Sequence, residues 1–250
     1  MKKELDYFTI EGCYGGNQDW FTNLVMHMGG CAAATACDSC IYFGLQNEKM
    51  KPLYPFDIDN LTKEDYKAFS QIMKPYLKPR AGGVRKLSWF VEGLGQYIQD
   101  VNEAKHTDIY IGMEEFSGDH TWQEAAAFIK EQLNQNIPVP YLLLRHQNEA
   151  YKDYIWHWFL LTGYEEKDGK MYIKTATYGE SDTFELEDFW NTGCGEKGGL
   201  IRLAPHYNYL GILTIHLTYA TILLRIFQQP EKNKNIEERG IQHGKPNRNI

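Results

Sequence analysis

The run Gly29-Gly30-Cys31-Ala32-Ala33-Ala34-Thr35-Ala36-Cys37 constrains the fold of this chain more than any other stretch. Two glycines interrupt the backbone, and a small-residue segment of high helix propensity then starts with a thiol. The run predicts a buried helix over residues 31–43 that begins at Cys31. The sulfur would then lie near unpaired N–H groups and the positive end of the helix dipole, which lower a thiol pKa. The alternative is a buried cysteine that packs as a small hydrophobic side chain.

The order of the predicted elements indicates the α+β class. Thr62 and Thr121 have the spacing of helix N-caps, and residues 87–101 read as another helix. Most predicted strands follow these helices, which favours helices packed on one side of an antiparallel sheet. The predicted strands cover residues 109–113, 139–145, 155–164, 170–177, 183–186 and 200–203.

Charge and cysteine content exclude several classes of protein. The formal net charge of −7 argues against a nucleic-acid-binding protein, because phosphate contacts need clustered Lys and Arg. Residues 1–12 lack the apolar region of a secretory signal, so the five cysteines are expected to be reduced thiols. The sequence therefore predicts a cytoplasmic protein with one large domain over residues 1–205.

The C-terminal part differs in composition. Residues 210–227, from Leu210 to Phe227, are strongly apolar, and their length is borderline for a membrane span. His216, Arg225 and four hydroxyl residues weaken that interpretation, so a packed or self-associating helix is favoured over a membrane anchor. The predicted helix occupies residues 206–229, and the polar residues 230–250 are predicted to be disordered. Membrane association through this helix stays open.

His157 begins the apolar and aromatic segment His157-Trp158-Phe159-Leu160-Leu161-Thr162-Gly163-Tyr164. This segment predicts a buried strand, on which His157 shares a face with Phe159 and Leu161. One interpretation is a core histidine with a satisfied imidazole. The other is a general base that takes the proton of Cys31, since a catalytic cysteine and histidine are neighbours in space and not in sequence.

A cysteine that opens a small-residue helix, followed by helices, the strand His-x-Phe-Leu-Leu-Thr-Gly-Tyr and a hairpin, resembles the papain-like cysteine peptidases. The resemblance is closest to the bacteriocin-processing, C39-like branch and covers about residues 12–203. It implies a papain-like fold and a thiolate–imidazolium pair of Cys31 and His157. It also implies an oxyanion-binding amide, which Gln18 matches. Gln18 lies 13 residues before Cys31, farther than is usual for the family, so the segment between them must loop out. Asn17 and Asn23 are the alternatives.

The third catalytic position departs from the family pattern. Thr175 stands on the strand after the hairpin, where the family has an Asp or Asn that orients the histidine. A threonine hydroxyl accepts an imidazole N–H but does not stabilise its positive charge as a carboxylate does. Three possibilities stay open: a Cys–His dyad, which we favour, an acid supplied by Glu180 or Asp182, or a degenerate site.

The resemblance therefore predicts a cysteine peptidase that cleaves a peptide or amide bond in a peptide or protein substrate and uses no metal or organic cofactor. The same residues would serve an amidase, deamidase or transferase, because these share the acyl-enzyme step. The alternative is a catalytically degenerate binding protein with the peptidase fold. Cys37 and Cys40 form a Cys-x-x-Cys sequence, but helical geometry directs them away from Cys31, so core packing is favoured over a metal site.

Overall fold

The computed structural model describes residues 1–80 and 83–206. The helices in these ranges are α1 (Leu24–Gly29), α2 (Cys31–Gln46), α3 (Lys63–Met73), α4 (Leu87–Lys105), α5 (Trp122–Asn134) and α6 (Leu186–Trp190). The strands are β1 (Lys2–Glu4), β2 (Thr9–Ile10), β3 (Cys13–Tyr14), β4 (Ile111–Ser117), β5 (Val139–Leu143), β6 (His157–Lys167), β7 (Lys170–Ala176), β8 (Thr183–Glu185) and β9 (Gly198–Pro205). Short 3-10 helices cover Gln18–Trp20, Glu48–Leu53 and Glu149–Tyr154.

One antiparallel sheet organises the molecule, with the strand order β4-β9-β5-β6-β7-β8. Strand β6 has β7 along one edge, while β5 and then β1 share its other edge. The first eight residues of β6 are buried, as expected for a strand covered on both faces. The prediction of a mixed helix and sheet fold with an antiparallel sheet is confirmed.

Local sequence signals explain several of these elements. The Thr62 side chain accepts a hydrogen bond from the Asp65 N–H and caps α3, and Thr121 forms a capping box with Glu124 at the start of α5. The β6–β7 hairpin turns at Asp168 and Gly169, where φ is 53° and 77°. Both residues tolerate this left-handed backbone, so the predicted turn is confirmed.

Helix α2 lies in the core and carries the predicted nucleophile at its first residue. Its alanines at 32, 33 and 36 are fully buried, and their small side chains let α2 pack against α3 and β6. A helix with apolar residues on all sides is expected in the interior of a domain. The helix begins at Cys31 as predicted and ends at Gln46, three residues beyond the predicted end.

Several elements were not predicted, among them β1, β3, α1 and α6. Helix α1 has the exposed apolar residues Leu24, Val25 and Met28, so its sequence lacks the amphipathic pattern that identifies a packed helix. Strand β1 has three residues at an edge, too few for a clear alternation. The ends of α4, β4 and β9 also extend beyond the predicted ranges.

Residues Met1–Tyr207 form one compact unit. The second unit, Asn208–Ile250, lies outside the described residues, and so do the predicted helix over 206–229, apart from its first residue, and the predicted disordered tail. Within residues 1–80 and 83–206, no helix has the length and apolar character needed to cross a bilayer. The cytoplasmic location and the membrane alternative stay predictions.

Candidate active site

Cys31 lies at the junction of α1 and α2 and is 5% exposed. The Gly30 N–H donates to the Met26 carbonyl at 2.8 Å. A Cβ at Gly30 would lie 2.4 Å from the same oxygen, so the junction requires glycine. The backbone N–H groups of Ala32 and Trp158 hydrogen-bond the Cys31 sulfur. The start of α2 and the start of β6 therefore meet at this thiol.

His157 is the first residue of β6 and is also 5% exposed. Because Trp158 follows it, the contact of the Trp158 N–H with Cys31 brings the imidazole beside the same cavity as the thiol. The chain enters β6 through Trp156, which has a left-handed φ of 55°. The imidazole stacks on the Tyr178 ring, with centroids 4.8 Å apart and planes 5° apart. His157 is thus a buried histidine and a neighbour of Cys31 at the same time.

The partner of the imidazole is Thr177 and not the predicted Thr175. His157 Nε2 and Thr177 Oγ1 are 2.7 Å apart, whereas the Thr175 hydroxyl lies 3.3 Å from the Tyr154 hydroxyl and accepts from the Asp182 N–H. Thr175 pairs with Leu161, four residues beyond His157, which is about 13 Å along β6. Thr177 comes two residues after Thr175, just beyond β7, so it lies on the same face and closer to His157. The predicted partner of the imidazole was therefore wrong by two residues.

Carboxylates supply no partner to His157 within residues 1–80 and 83–206. Asp182 Oδ2 accepts from the Tyr154 hydroxyl at 2.5 Å, and Glu180 lies in the turn that follows Thr177. Of the three possibilities left open by the sequence, an acid from Glu180 or Asp182 therefore has no support in the observed contacts. The imidazole is held by a hydroxyl.

Gln18 reaches the same cavity because the segment before Cys31 loops out through a 3-10 helix and α1. Gln18 is 6% exposed, and its Nε2 donates to the His27 carbonyl at 2.6 Å. Its Oε1 is buried without a hydrogen bond to any described residue. The alternatives Asn17 and Asn23 are engaged as N-caps, where they accept from the Asp19 and Met26 N–H groups.

The cavity itself is small, at about 10 Å³, and its walls include Gln18, Cys31, Asp38, His157, Thr177 and Tyr178. Such a volume admits about one water molecule. Tyr178 forms part of its wall with a left-handed φ of 52°, a conformation that is strained for an aromatic residue. The site described here is therefore closed.

Burial sets the protonation of the catalytic candidates. It raises the pKa of the Cys31 thiol above its usual range, although the N–H groups of Trp158 and Ala32 oppose that effect. Burial lowers the pKa of His157 to about 4. Both directions favour the neutral thiol and the neutral imidazole. The expectation of a depressed Cys31 pKa was wrong, because desolvation outweighs the helix N-terminus in the closed site.

Asp38 belongs to the site and was missed by the sequence analysis. It lies seven residues after Cys31, which is two turns along the same face of α2. Its carboxylate accepts hydrogen bonds from the Tyr7 and Tyr66 hydroxyls and from the Gly16 N–H. Burial raises the pKa of Asp38 to about 6, and these three donors oppose the shift. A carboxylate on a helix that is otherwise buried and apolar was the available signal.

The other cysteines pack in the core or lie near its edge. Cys37 and Cys40 are buried in α2, and burial raises the pKa of both thiols above their usual range. Cys13 and Cys194 are half-buried free thiols. The described part of the chain contains no group of three or more His, Cys, Asp or Glu side chains arranged to hold a metal ion.

Comparison of the sequence with models of known protein families and with curated proteins finds no match. The functional argument therefore depends on the residues of this site.

Proposed function

We propose that this chain is a thiol acyl-transfer hydrolase, similar to the papain-like cysteine peptidases, that cleaves a peptide or amide bond. The observation that supports this proposal is that Cys31, His157 and Gln18, which are distant in sequence, line one cavity. A thiol, a buried imidazole and an amide donor are the three groups that acyl transfer needs. The nearer relation, to the C39-like branch, is proposed from the sequence resemblance alone.

Activation of the nucleophile follows from the neutral resting state. His157 acts as a general base, and its Nε2–H donates to Thr177 Oγ1 in the tautomer that leaves a lone pair on Nδ1. As a substrate carbonyl approaches, the Cys31 proton moves to Nδ1 while the sulfur bonds to the carbonyl carbon. The proton transfer is coupled to attack, because burial disfavours a preformed thiolate–imidazolium pair.

The oxyanion of the tetrahedral intermediate needs preorganised donors. One N–H of the Gln18 amide is fixed by the His27 carbonyl, so the second N–H is oriented without being used. We assign this second N–H, together with the Cys31 backbone N–H, to the oxyanion. Collapse of the intermediate transfers the proton from His157 to the leaving amine and leaves an acyl-thioester on Cys31. Water, deprotonated by His157, then releases the acid and restores the thiol.

A covalent probe tests this proposal directly. We expect N-acetyl dipeptidyl chloromethyl ketones with varied side chains to form a single adduct at Cys31, located by peptide mass spectrometry. His157→Ala should slow the adduct at least about 100-fold, the usual contribution of a general base. Iodoacetamide, which carries no peptide, should react slowly with Cys31 below neutral pH because the closed site holds the thiol protonated.

Cys13→Ala is the matched control, since Cys13 is a free, half-buried thiol outside the proposed mechanism. It should leave the reaction at Cys31 unchanged. In parallel, wild-type protein should generate new termini in a mixed peptide pool, and Cys31→Ala should generate none. Absence of both the adduct and the new termini in wild-type protein would refute the enzyme proposal.

A second candidate is a degenerate peptidase-fold protein that binds peptides without cleaving them. The closed cavity of about 10 Å³ and the hydroxyl in place of a carboxylate on His157 favour this alternative. It predicts that peptides bind equally to wild-type protein and to Cys31→Ala, with no cleavage by either. Turnover by wild-type protein alone excludes it.

A further inference from the structure

The Asp38 carboxylate is the centre of a buried polar cluster at the base of the candidate site. Its Oδ2 accepts from the Tyr7 hydroxyl at 2.8 Å and from the Gly16 N–H at 3.2 Å, and its Oδ1 accepts from the Tyr66 hydroxyl at 2.7 Å. Burial raises the pKa of both phenols far above their usual range, so they remain donors at any working pH. The carboxylate thus joins three segments of the chain to α2.

The loop before Gln18 fits this cluster closely. A Cβ at Gly15 would lie 2.7 Å from Asp38 Oδ2, and a Cβ at Gly16 would lie 1.9 Å from Tyr66 Cζ. A side chain at either position would have to displace the side chains of the cluster, so the backbone of the loop lies directly against it. Gln18 follows Gly16 by two residues, and its position therefore depends on the packing of Gly15 and Gly16 against this cluster.

The same glycine also holds the turn that contacts the imidazole. The Gly16 carbonyl accepts from the Gly179 N–H at 2.9 Å. Gly179 follows Tyr178, which stacks on His157, and Thr177, which hydrogen-bonds its Nε2. Gly16 therefore connects Asp38 on one side to the histidine turn on the other.

From these contacts we infer that Asp38 is a positioning residue for the proposed acyl transfer, fixing the Gln18 loop and the Thr177–Gly179 turn relative to Cys31 through Gly16. The inference rests on the proposed function for its chemistry. Asp38 lies two turns along α2 from the sulfur and acts through its neighbours, not on the substrate. Its loss should weaken oxyanion binding more than it weakens the reactivity of the thiol.

Two reagents separate these effects. A dipeptidyl chloromethyl ketone passes through a tetrahedral oxyanion at Cys31, whereas iodoacetamide alkylates the sulfur without one. The measured quantity is the rate with the chloromethyl ketone divided by the rate with iodoacetamide. We expect Asp38→Ala to lower this rate ratio about 100-fold, as loss of alignment at a reacting centre does. Asp38→Asn should restore most of the ratio, because its amide oxygen still accepts from Gly16 and Tyr7. The Tyr66 hydroxyl already lies 3.2 Å from the Ala34 carbonyl and would donate there while accepting from the new amide.

Hydrogen exchange of the Gly16 and Gly179 amides provides a readout that needs no reaction. Exchange at both amides should rise in Asp38→Ala and stay low in Asp38→Asn. Ser39→Ala is the matched control, because the Ser39 hydroxyl is buried in α2 and, among the described residues, bonds only the Thr35 carbonyl of the same helix. It should leave the rate ratio and both amides unchanged.

The outcomes distinguish this inference from the proposed function. An equal loss with both reagents, or faster amide exchange with an unchanged rate ratio, overturns the positioning role. If wild-type Cys31 reacts with neither reagent, the proposed function fails and the catalytic part of the inference fails with it. Amide exchange then still decides whether Asp38 anchors the two loops.

Discussion

His157 and Asp38 are two buried titratable residues beside one cavity. Burial lowers the pKa of one and raises the pKa of the other, so their contributions to stability depend on pH in opposite ways. The pKa of His157 falls from 6.5 to about 4, so its contribution to stability is complete above pH 6.5 and is lost as the pH falls towards 4. The pKa of Asp38 rises from 3.8 to about 6, so its contribution is complete below pH 3.8 and is lost as the pH rises through 6. The two slopes largely cancel in wild-type protein between pH 4 and 6.5.

Replacing Asp38 by Asn should make this cancellation visible. Asn carries no charge, so the cost of burying an ionised carboxylate disappears at neutral pH. Relative to wild type, Asp38→Asn should gain up to about 3 kcal/mol of unfolding free energy between pH 4 and pH 7, since one pKa unit corresponds to about 1.4 kcal/mol. Urea unfolding at pH 4, 5, 6 and 7 measures this difference. The exposed Asp108→Asn provides the same substitution on the surface as a control.

A difference between Asp38→Asn and wild type that is independent of pH would show that the carboxylate is not the group whose burial is costly. A gain confined to neutral pH would instead mean that the chain keeps a charged acceptor at this position against its own stability. Such a cost is common where a polar group serves a site and not the core.

At the scale of elements, the α1–α2 junction decides where the sulfur lies. Gly29 and Gly30 are neighbours with different surroundings: a Cβ at Gly29 would meet Pro79 Cβ at 3.4 Å, whereas one at Gly30 would lie 2.4 Å from the Met26 carbonyl oxygen. Gly30→Ala should therefore destabilise the protein by about 1–3 kcal/mol and slow the reaction of Cys31 with the chloromethyl ketone. Gly29→Ala should be tolerated.

Urea midpoints and Cys31 labelling rates of the two variants measure this difference. Equal effects of the two substitutions would mean that the junction relaxes around a methyl group, and that the start of α2 is not fixed by Gly30.

Elements with local signals could be predicted from the sequence. The caps at Thr62 and Thr121, the Asp168-Gly169 turn and the small-residue run after Cys31 all act within a few residues. Their physical causes are backbone conformation and side-chain-to-backbone hydrogen bonds, which do not depend on the rest of the fold. Helix α1 carries no such signal beyond the Asn23 cap, because its apolar residues face outward.

The site was predictable only where the resemblance supplied it. Cys31, His157 and Gln18 come together as that resemblance implies, but the partner of the imidazole depends on pairing between β6 and β7. A bulge between Leu161 and Gly163 shifts that pairing, and no local signal predicts it. The role of Asp38 could not be predicted because its partners are distant in sequence. Tyr7 lies about thirty residues before it and Tyr66 about thirty residues after it.

At the scale of the whole molecule, the candidate site lies where helix α2 meets the sheet. Helix α2 packs on β6, and the two elements supply Cys31 and His157 at their first residues. Both groups thus belong to well-buried elements of the unit Met1–Tyr207, while Gln18 is the first residue of a 3-10 helix and Thr177 lies in the turn after β7. A helix and a strand carry the two candidate reacting groups, and shorter segments complete the candidate site around them.

The unit Met1–Tyr207 contains every residue of the candidate site, so a chain ending at residue 206 should fold cooperatively and form the Cys31 adduct at the wild-type rate.

The same truncation tests the remaining segment, for which the sequence favours a packed or self-associating helix over an anchor. His216 lies near the middle of residues 210–227, where a polar side chain is costly in a membrane helix, and Arg225 adds a charge near the end of the segment. Full-length protein should therefore sediment with phosphatidylcholine vesicles no more than the truncated protein does. Neutral lipid excludes simple attraction of the basic C-terminal residues to charged headgroups. If the full-length protein sediments with the vesicles and the truncated protein does not, residues 210–227 are a membrane-binding segment and the proposed hydrolase acts at a lipid surface.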